Sequence, residues 1–125
     1  MCAPEFNEPT CLTAIKILTH GQGPSFPGEN MPQDAAALRS TLSLAPVIPV
    51  IILDDVSLAR PLAEALVAGG LPVLEVTLRT RHALQVIEEM AKVPGAVVGS
   101  GTIRSPLQMG HSVDAGCQFM VSPGA

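Results

Sequence analysis

No two of the three cysteines in this 125-residue chain stand at the spacing of a close pair or of a metal-ligand set. Cys2, Cys11 and Cys117 thus argue against a disulfide framework and a cysteine-based metal centre, and are expected to be the reduced thiols of a cytoplasmic protein. Positive charge is sparse and scattered: 7 Lys and Arg against 11 Asp and Glu, for a net charge of −4. That balance argues against a nucleic-acid or anionic-membrane surface and leaves room for a small anionic substrate. The longest apolar stretch, residues 45–53, is too short to span a bilayer and is interrupted by Pro46 and Pro49. The apolar residues of 11–18 have no basic region ahead of them and no small-residue cleavage site after, so they do not read as a signal peptide.

With 47% hydrophobic residues, the chain can supply the core of one domain. Residues 71–80, Leu-Pro-Val-Leu-Glu-Val-Thr-Leu-Arg-Thr, carry the most information. Side chains alternate between the faces of a strand, so Val73, Glu75, Thr77 and Arg79 form one row and Leu74, Val76 and Leu78 the other. A parallel strand covered on both sides should be apolar in both rows. A carboxylate, a hydroxyl and a guanidinium gathered toward the C-terminal end of one row therefore mark a candidate site, since parallel α/β folds place ligands at the C-terminal ends of their strands.

Residues 1–30 differ from the rest, with Pro4, Pro9, Pro24, Pro27, Gly21, Gly23 and Gly28 spread among polar residues. They are expected to be a disordered extension or a mis-assigned start, with Met31 opening the domain at 31–125 and a short helix over 33–42. From Ala45 the pattern alternates. A strand is expected over 47–53, a helix over 57–68 with Leu58, Leu62, Ala65 and Leu66 inward, and a strand over 72–78. A helix from a Thr80 cap to Lys92 follows, with Leu84, Ile87 and Ala91 inward. Ala96 to Val98 form a third strand, and Gly99-Ser100-Gly101-Thr102 a glycine-rich loop. Ser105, Pro106 and Gln108 form a capping signature for a helix to Asp114, and residues 118–121 make a fourth strand. This βαβαβαβ order implies a parallel sheet with right-handed crossovers. Periodicity alone leaves two architectures open, a doubly wound sheet and part of a (β/α)8 barrel. Asp54-Asp55-Val56-Ser57 stands where a dinucleotide fingerprint would follow the first strand, which disfavours the former.

Four segments then carry a family resemblance: Pro-Val-Ile-Pro-Val-Ile at 46–51, Ala-Leu-Val-Ala-Gly-Gly-Leu-Pro-Val-Leu-Glu-Val-Thr-Leu-Arg-Thr at 65–80, Val-Gly-Ser-Gly-Thr at 98–102 and Phe-Met-Val-Ser-Pro-Gly at 119–124. In order and spacing they resemble the 2-keto-3-deoxy-6-phosphogluconate (KDPG) / 4-hydroxy-2-oxoglutarate (KHG) aldolases, from about residue 36 to 125. The resemblance implies the N-terminal half, about four strands, of a (β/α)8 TIM barrel, and a class I aldolase, cofactor-free, cytoplasmic and trimeric when whole. It also implies site residues. Glu75 matches the general acid/base, Arg79 the group that grips the pyruvate carboxylate, Thr102 a substrate hydrogen-bonding position, and Pro123 the lining of the same mouth; Thr77 is expected to orient Glu75. The family's Schiff-base lysine would lie on the sixth strand, beyond Ala125. Neither Lys16 nor Lys92 matches it, so the chain alone is expected to be inactive.

Other readings stand beside these. Glu75 and Arg79 could form a structural ion pair, and Gly99 to Thr102 a tight turn or a phosphate cradle. His82 and His111 read as solvent-facing, Cys117 as a buried filler, and Met109 and Met120 as packing. A half barrel would leave open edges on its first and fourth strands and is expected to self-associate or stay partly molten. An interaction fragment assembling through those edges, or another phosphosugar (β/α)8 enzyme, are the alternatives to an aldolase.

Overall fold

The computed structural model describes residues 15–17 and 35–123. In chain order the elements are β1 (Ile15–Ile17), α1 (Ala35–Leu42), β2 (Val50–Ile51), a single 3-10 turn (Val56–Leu58), α2 (Ala59–Ala68), β3 (Val73–Thr77), α3 (Ala83–Ala91), β4 (Val97–Gly101), α4 (Pro106–Asp114) and β5 (Phe119–Val121). They build one sheet in the order β1-β5-β4-β3-β2, in which β2 to β5 are parallel and β1 runs antiparallel to β5.

The strand order decides between the two architectures left open by periodicity. A doubly wound sheet reverses the direction of strand addition at a switch point. Here each parallel strand adds beside its predecessor, and one apolar layer joins strand and helix residues: Ile51, Leu74, Val76 and Val98 from the strands, Ala59, Ala63, Val86, Ile87 and Met90 from α2 and α3. Progressive addition with helices stacked on one side is how a barrel wall is built.

The local chemistry explains most boundaries. Asp55 accepts from the Ser57 amide at 2.9 Å and starts the turn that leads into α2. Pro61 falls in the first turn of α2, where its missing amide costs no helix bond. The helix ends in a Schellman motif, with Leu71 donating to the Leu66 carbonyl at 2.9 Å and Gly70 to Val67 at 3.1 Å; Gly70 holds φ +88, a conformation that a Cβ would strain. Ser105 caps α4 by accepting from the Gln108 amide at 3.2 Å. The Gln108 side chain accepts in return from the Arg104 amide at 2.8 Å, so the expected capping signature closes one residue earlier than a standard box.

Four expectations change. The first strand shrinks from 47–53 to Val50–Ile51, because Pro46 and Pro49 cannot donate to a ladder and β2 has a partner on one side only. The buried face of α2 is set by Ala59 and Ala63 with Leu62, Leu66 and Val67 against them, while Leu58 and Ala65 face outward. On α3 it is Ala83, Val86, Ile87 and Met90, the i, i+3, i+4, i+7 stripe, and Ala91 is exposed. Within the leader, Ile15–Ile17 pair antiparallel with Phe119–Val121 as a strand at the edge of the sheet. The rest of residues 1–30, with Cys2, Cys11 and Met31, lies outside the described residues. No helix among the described residues is long and apolar enough to cross a membrane.

Candidate active site at the C-terminal rim of the sheet

The side of the sheet away from the helices carries the polar residues of β3. On β3, Leu74 and Val76 are fully buried against α2 and α3, whereas Val73, Glu75 and Thr77 project to the other side. The register sets Glu75 beside Val50 of β2 and Gly99 of β4, and Thr77 beside Gly101.

The glycine-rich segment is strand, not loop or phosphate cradle: β4 runs through Gly99, Ser100 and Gly101. Its glycines are spaces that neighbouring side chains fill. A Cβ on Gly99 would overlap the ring of Phe119, and a Cβ on Gly101 would overlap the Glu75 carboxylate at Oε1. Two glycines at period two within an apolar run were the available sequence signal for such a close approach on one face.

Glu75 is half-buried, and the loss of water around its carboxylate raises its pKa above the ordinary value of 4.5. No counter-charge among the described residues offsets that cost. The ion pairs among the described residues are His82 with Asp54 and Lys92 with Glu89, so Glu75 and Arg79 do not form the structural pair that would have made both bland. Thr77, expected to orient Glu75, instead donates its hydroxyl to the Ile51 carbonyl at 3.3 Å and ties β3 to β2. Its short side chain is 3% exposed and meets the neighbouring strand's backbone first.

Arg79 lies past the end of β3, in the turn that follows, and is exposed. The turn is pinned around it. Leu78 donates to the Gly101 carbonyl at 2.9 Å, Thr80 Oγ1 to the Leu53 carbonyl at 3.1 Å, and His82 Nδ1 lies 3.0 Å from Asp54 Oδ1. Thr80 therefore joins two rim loops and does not cap α3, whose N-cap is His82. Thr102 follows β4 directly and has φ +64, the left-handed region that a β-branched residue rarely occupies. Strain of this kind, of order 1–3 kcal/mol, concentrates where a site needs a side chain aimed in one direction. The next residue, Ile103, donates to the Val121 carbonyl at 3.1 Å, which brings the end of β5 and the exposed Pro123 to the same rim.

Cys117 and Ser100 belong to the other side. Burial pushes the Cys117 thiol up to about 11, against a smaller lowering by the Ser100 hydroxyl, which suits a buried filler and disfavours a nucleophile. Met120 is buried as expected, His111 is exposed on α4, and the described residues hold no cluster of three or more His, Cys, Asp or Glu side chains.

Toward the C-terminal side of adjacent parallel strands stand a half-buried carboxylate, an exposed guanidinium with no ion pair among the described residues, and a threonine held at positive φ. Residues 38–125 match the family model described as KDPG and KHG aldolase. The 2-dehydro-3-deoxy-phosphogluconate aldolase of Zymomonas mobilis subsp. mobilis is 56% identical over 87 residues, covering 70% of this chain and 42% of that protein. A crystal structure of the 2-keto-3-deoxy-6-phospho-gluconate aldolase from Zymomonas mobilis superposes with a TM-score of 0.68 at 55% identity, covering 70% of this chain and 42% of that one. The KDPG aldolase of Legionella pneumophila, with pyruvate captured at low pH as a covalent carbinolamine intermediate, superposes with a TM-score of 0.65 at 45% identity, over 69% of this chain and 42% of that one. The chain spans less than half the length of each of these relatives, and its sheet is a partial TIM barrel. It belongs to the KDPG and KHG aldolase family.

Proposed function

We propose that this chain supplies the proton-transfer and carboxylate-binding half of a class I aldolase site that cleaves 2-keto-3-deoxy-6-phosphogluconate to pyruvate and glyceraldehyde 3-phosphate, or 4-hydroxy-2-oxoglutarate to pyruvate and glyoxylate. The observation that carries the proposal is the Glu75 carboxylate, half-buried, unpaired among the described residues and raised in pKa, on the interior face of β3 with its carboxylate reaching to Gly101 near the end of β4.

In such a reaction a lysine amine adds to the ketone and expels water, leaving an iminium. A base then takes the proton of the hydroxyl two carbons away. The bond joining the hydroxyl-bearing carbon to the carbon next to the iminium breaks, its electron pair passes to the iminium as an enamine, and the aldehyde leaves. The enamine regains a proton at carbon, and water releases pyruvate. Glu75 suits the proton steps, because a carboxylate whose pKa is lifted by desolvation both takes and returns a proton more readily near neutrality. Arg79, exposed and free of an ion pair among the described residues, offers a planar fork to the pyruvate carboxylate. Thr102, directly after β4, would give a hydrogen bond to the substrate, and Pro123, after β5, would line the same mouth.

Neither lysine of the sequence stands where that amine is needed. Lys92 follows α3 at the opposite rim and pairs with Glu89, and Lys16 lies on β1, with β5 and β4 between it and β3. The 125 residues alone therefore bind no substrate covalently. The test is pyruvate trapping by borohydride, read by intact mass, on the chain itself and on a chimera in which residues 38–125 replace the matched part of the Zymomonas mobilis aldolase. We expect an adduct on the chimera only, with turnover reduced by about 10²- to 10⁴-fold in its Glu75→Gln version. An adduct on the short chain, or full turnover without the carboxylate, overturns the assignment.

A second reading rests on the exposed β2 edge. Val50 and Ile52 are 62% and 60% exposed there, which favours a role in assembly through that edge. A defined oligomer without any activity in the chimera would support it.

A further inference from the structure

We propose that Gly101 is a positioning residue of this site: its missing side chain is the space that seats the Glu75 carboxylate over β4. The inference deepens the aldolase reading, in that the importance of Glu75 rests on it, but the seat itself is a property of the folded chain and is tested apart from activity.

The geometry is one-sided. The three atoms nearest a Cβ built on Gly101 are Oε1, Cδ and Cγ of Glu75, with the overlap at Oε1 beyond what any side-chain pair tolerates and the other two at 3.0 and 3.2 Å; no backbone atom is among them. Gly101 has an ordinary strand conformation, so nothing in its own backbone calls for glycine. What calls for it is the carboxylate of a residue on the next strand. Glu75 and Gly101 are diagonal neighbours in the β3–β4 ladder, Glu75 lying directly opposite Gly99 and Thr77 opposite Gly101. The long glutamate side chain leans along its strand toward the C-terminal rim, the direction strand side chains take, and arrives over a position of β4 that carries no side chain.

Gly99 has a different tenant. Its empty place is taken by the ring of Phe119, which is 2% exposed and closes the floor behind the glutamate. The pair of glycines therefore makes a track in which one place admits an apolar ring and the next a carboxylate. An alanine at 101 meets the far end of a flexible chain, so Glu75 can yield by rotating. The fold is kept and the carboxylate is put elsewhere, toward water.

The experiment is an NMR titration of the side-chain carboxyl of Glu75 in the 125-residue chain labelled with ¹³C at glutamate Cδ, its signal assigned by loss in Glu75→Gln. In Gly101→Ala we expect the Glu75 midpoint to fall toward the ordinary 4.5 of an exposed glutamate. Gly110→Ala, where an added Cβ meets nothing within 4 Å, is the control and should leave the midpoint where it is. A Glu75 midpoint unchanged or raised in Gly101→Ala overturns the proposal. Should Gly101→Ala fail to fold, the double variant Glu75→Ala/Gly101→Ala decides: recovery of folding supports the seat, because removing the tenant makes the alanine tolerable, and continued failure overturns it. None of these results depends on whether the chimera makes a pyruvate adduct, so the seat and the aldolase assignment can fail separately.

Discussion

From Leu74 to Thr77 the two faces of β3 hold opposite kinds of residue under the same backbone. Toward the helices, Leu74 and Val76 are fully buried in an apolar layer, and the neighbouring strands answer with Ile51 and Val98. Toward the barrel interior, Glu75 and Thr77 meet two glycines and the edge residue Val50. The first face obtains its stability from filled volume. The second keeps volume empty so that a carboxylate can lie partly out of water, at some cost to stability. A difference of that kind means substitutions on the two faces should have opposite signs.

The largest effect belongs to the helix side. Leu74→Ala removes a fully buried side chain and leaves a cavity between β3 and the α2–α3 layer, for a loss of about 2–5 kcal/mol, read as a fall in the denaturant midpoint without a change in slope. A loss near zero would mean that this face is not the packed one, and the comparison would collapse.

Thr102→Gly probes the interior rim and should go the other way. The threonine is held at φ +64, so glycine relieves a left-handed penalty of about 1 kcal/mol and the folded state gains by a similar amount, reduced by the greater freedom of glycine when unfolded. The chimera should pay in activity through the lost hydroxyl. Thr102→Ala separates the two contributions, keeping the strain and losing the hydroxyl. If Thr102→Gly destabilises as much as Thr102→Ala, the conformation is not strained and the rim is ordinary loop.

Much of the contrast could be read from the sequence. The alternation through residues 71–80 located the polar row, and the segments at 46–51, 65–80, 98–102 and 119–124 pointed to the right family and to a barrel. Local pattern failed where the deciding atoms come from another strand. Gly-x-Gly at 99–101 reads as a turn because glycine is the usual turn residue; its ladders with β3 and β5 make it strand, and Phe119 and Glu75 take up the room its glycines leave. Thr77 reads as a partner for Glu75 because they share a face, whereas its hydroxyl finds a backbone carbonyl on β2. Strand residues 15–17 could not be inferred from a proline- and glycine-rich leader, because their partner strand β5 lies more than a hundred residues away in sequence for Ile15 and Val121.

The smallest effect on stability, from Glu75→Gln, tests the contrast most directly because its sign changes with conditions. The folded-state pKa of Glu75 is raised above the ordinary 4.5 by desolvation, so between those two values the native chain binds more protons than the unfolded one. Stability from this group is therefore fully present below 4.5 and is lost as pH rises through the folded value. Glutamine copies the protonated acid and cannot ionise. The variant should equal the parent in stability at acid pH and exceed it increasingly toward neutrality, the excess being modest because the carboxylate keeps part of its water. Denaturant titrations of both chains from about pH 4 to 7 give the difference curve. A curve that falls with pH would mean that a cation holds the carboxylate in the folded state, the group would then be a structural anchor like those of the opposite face, and a site built on an unpaired carboxylate would have to be abandoned.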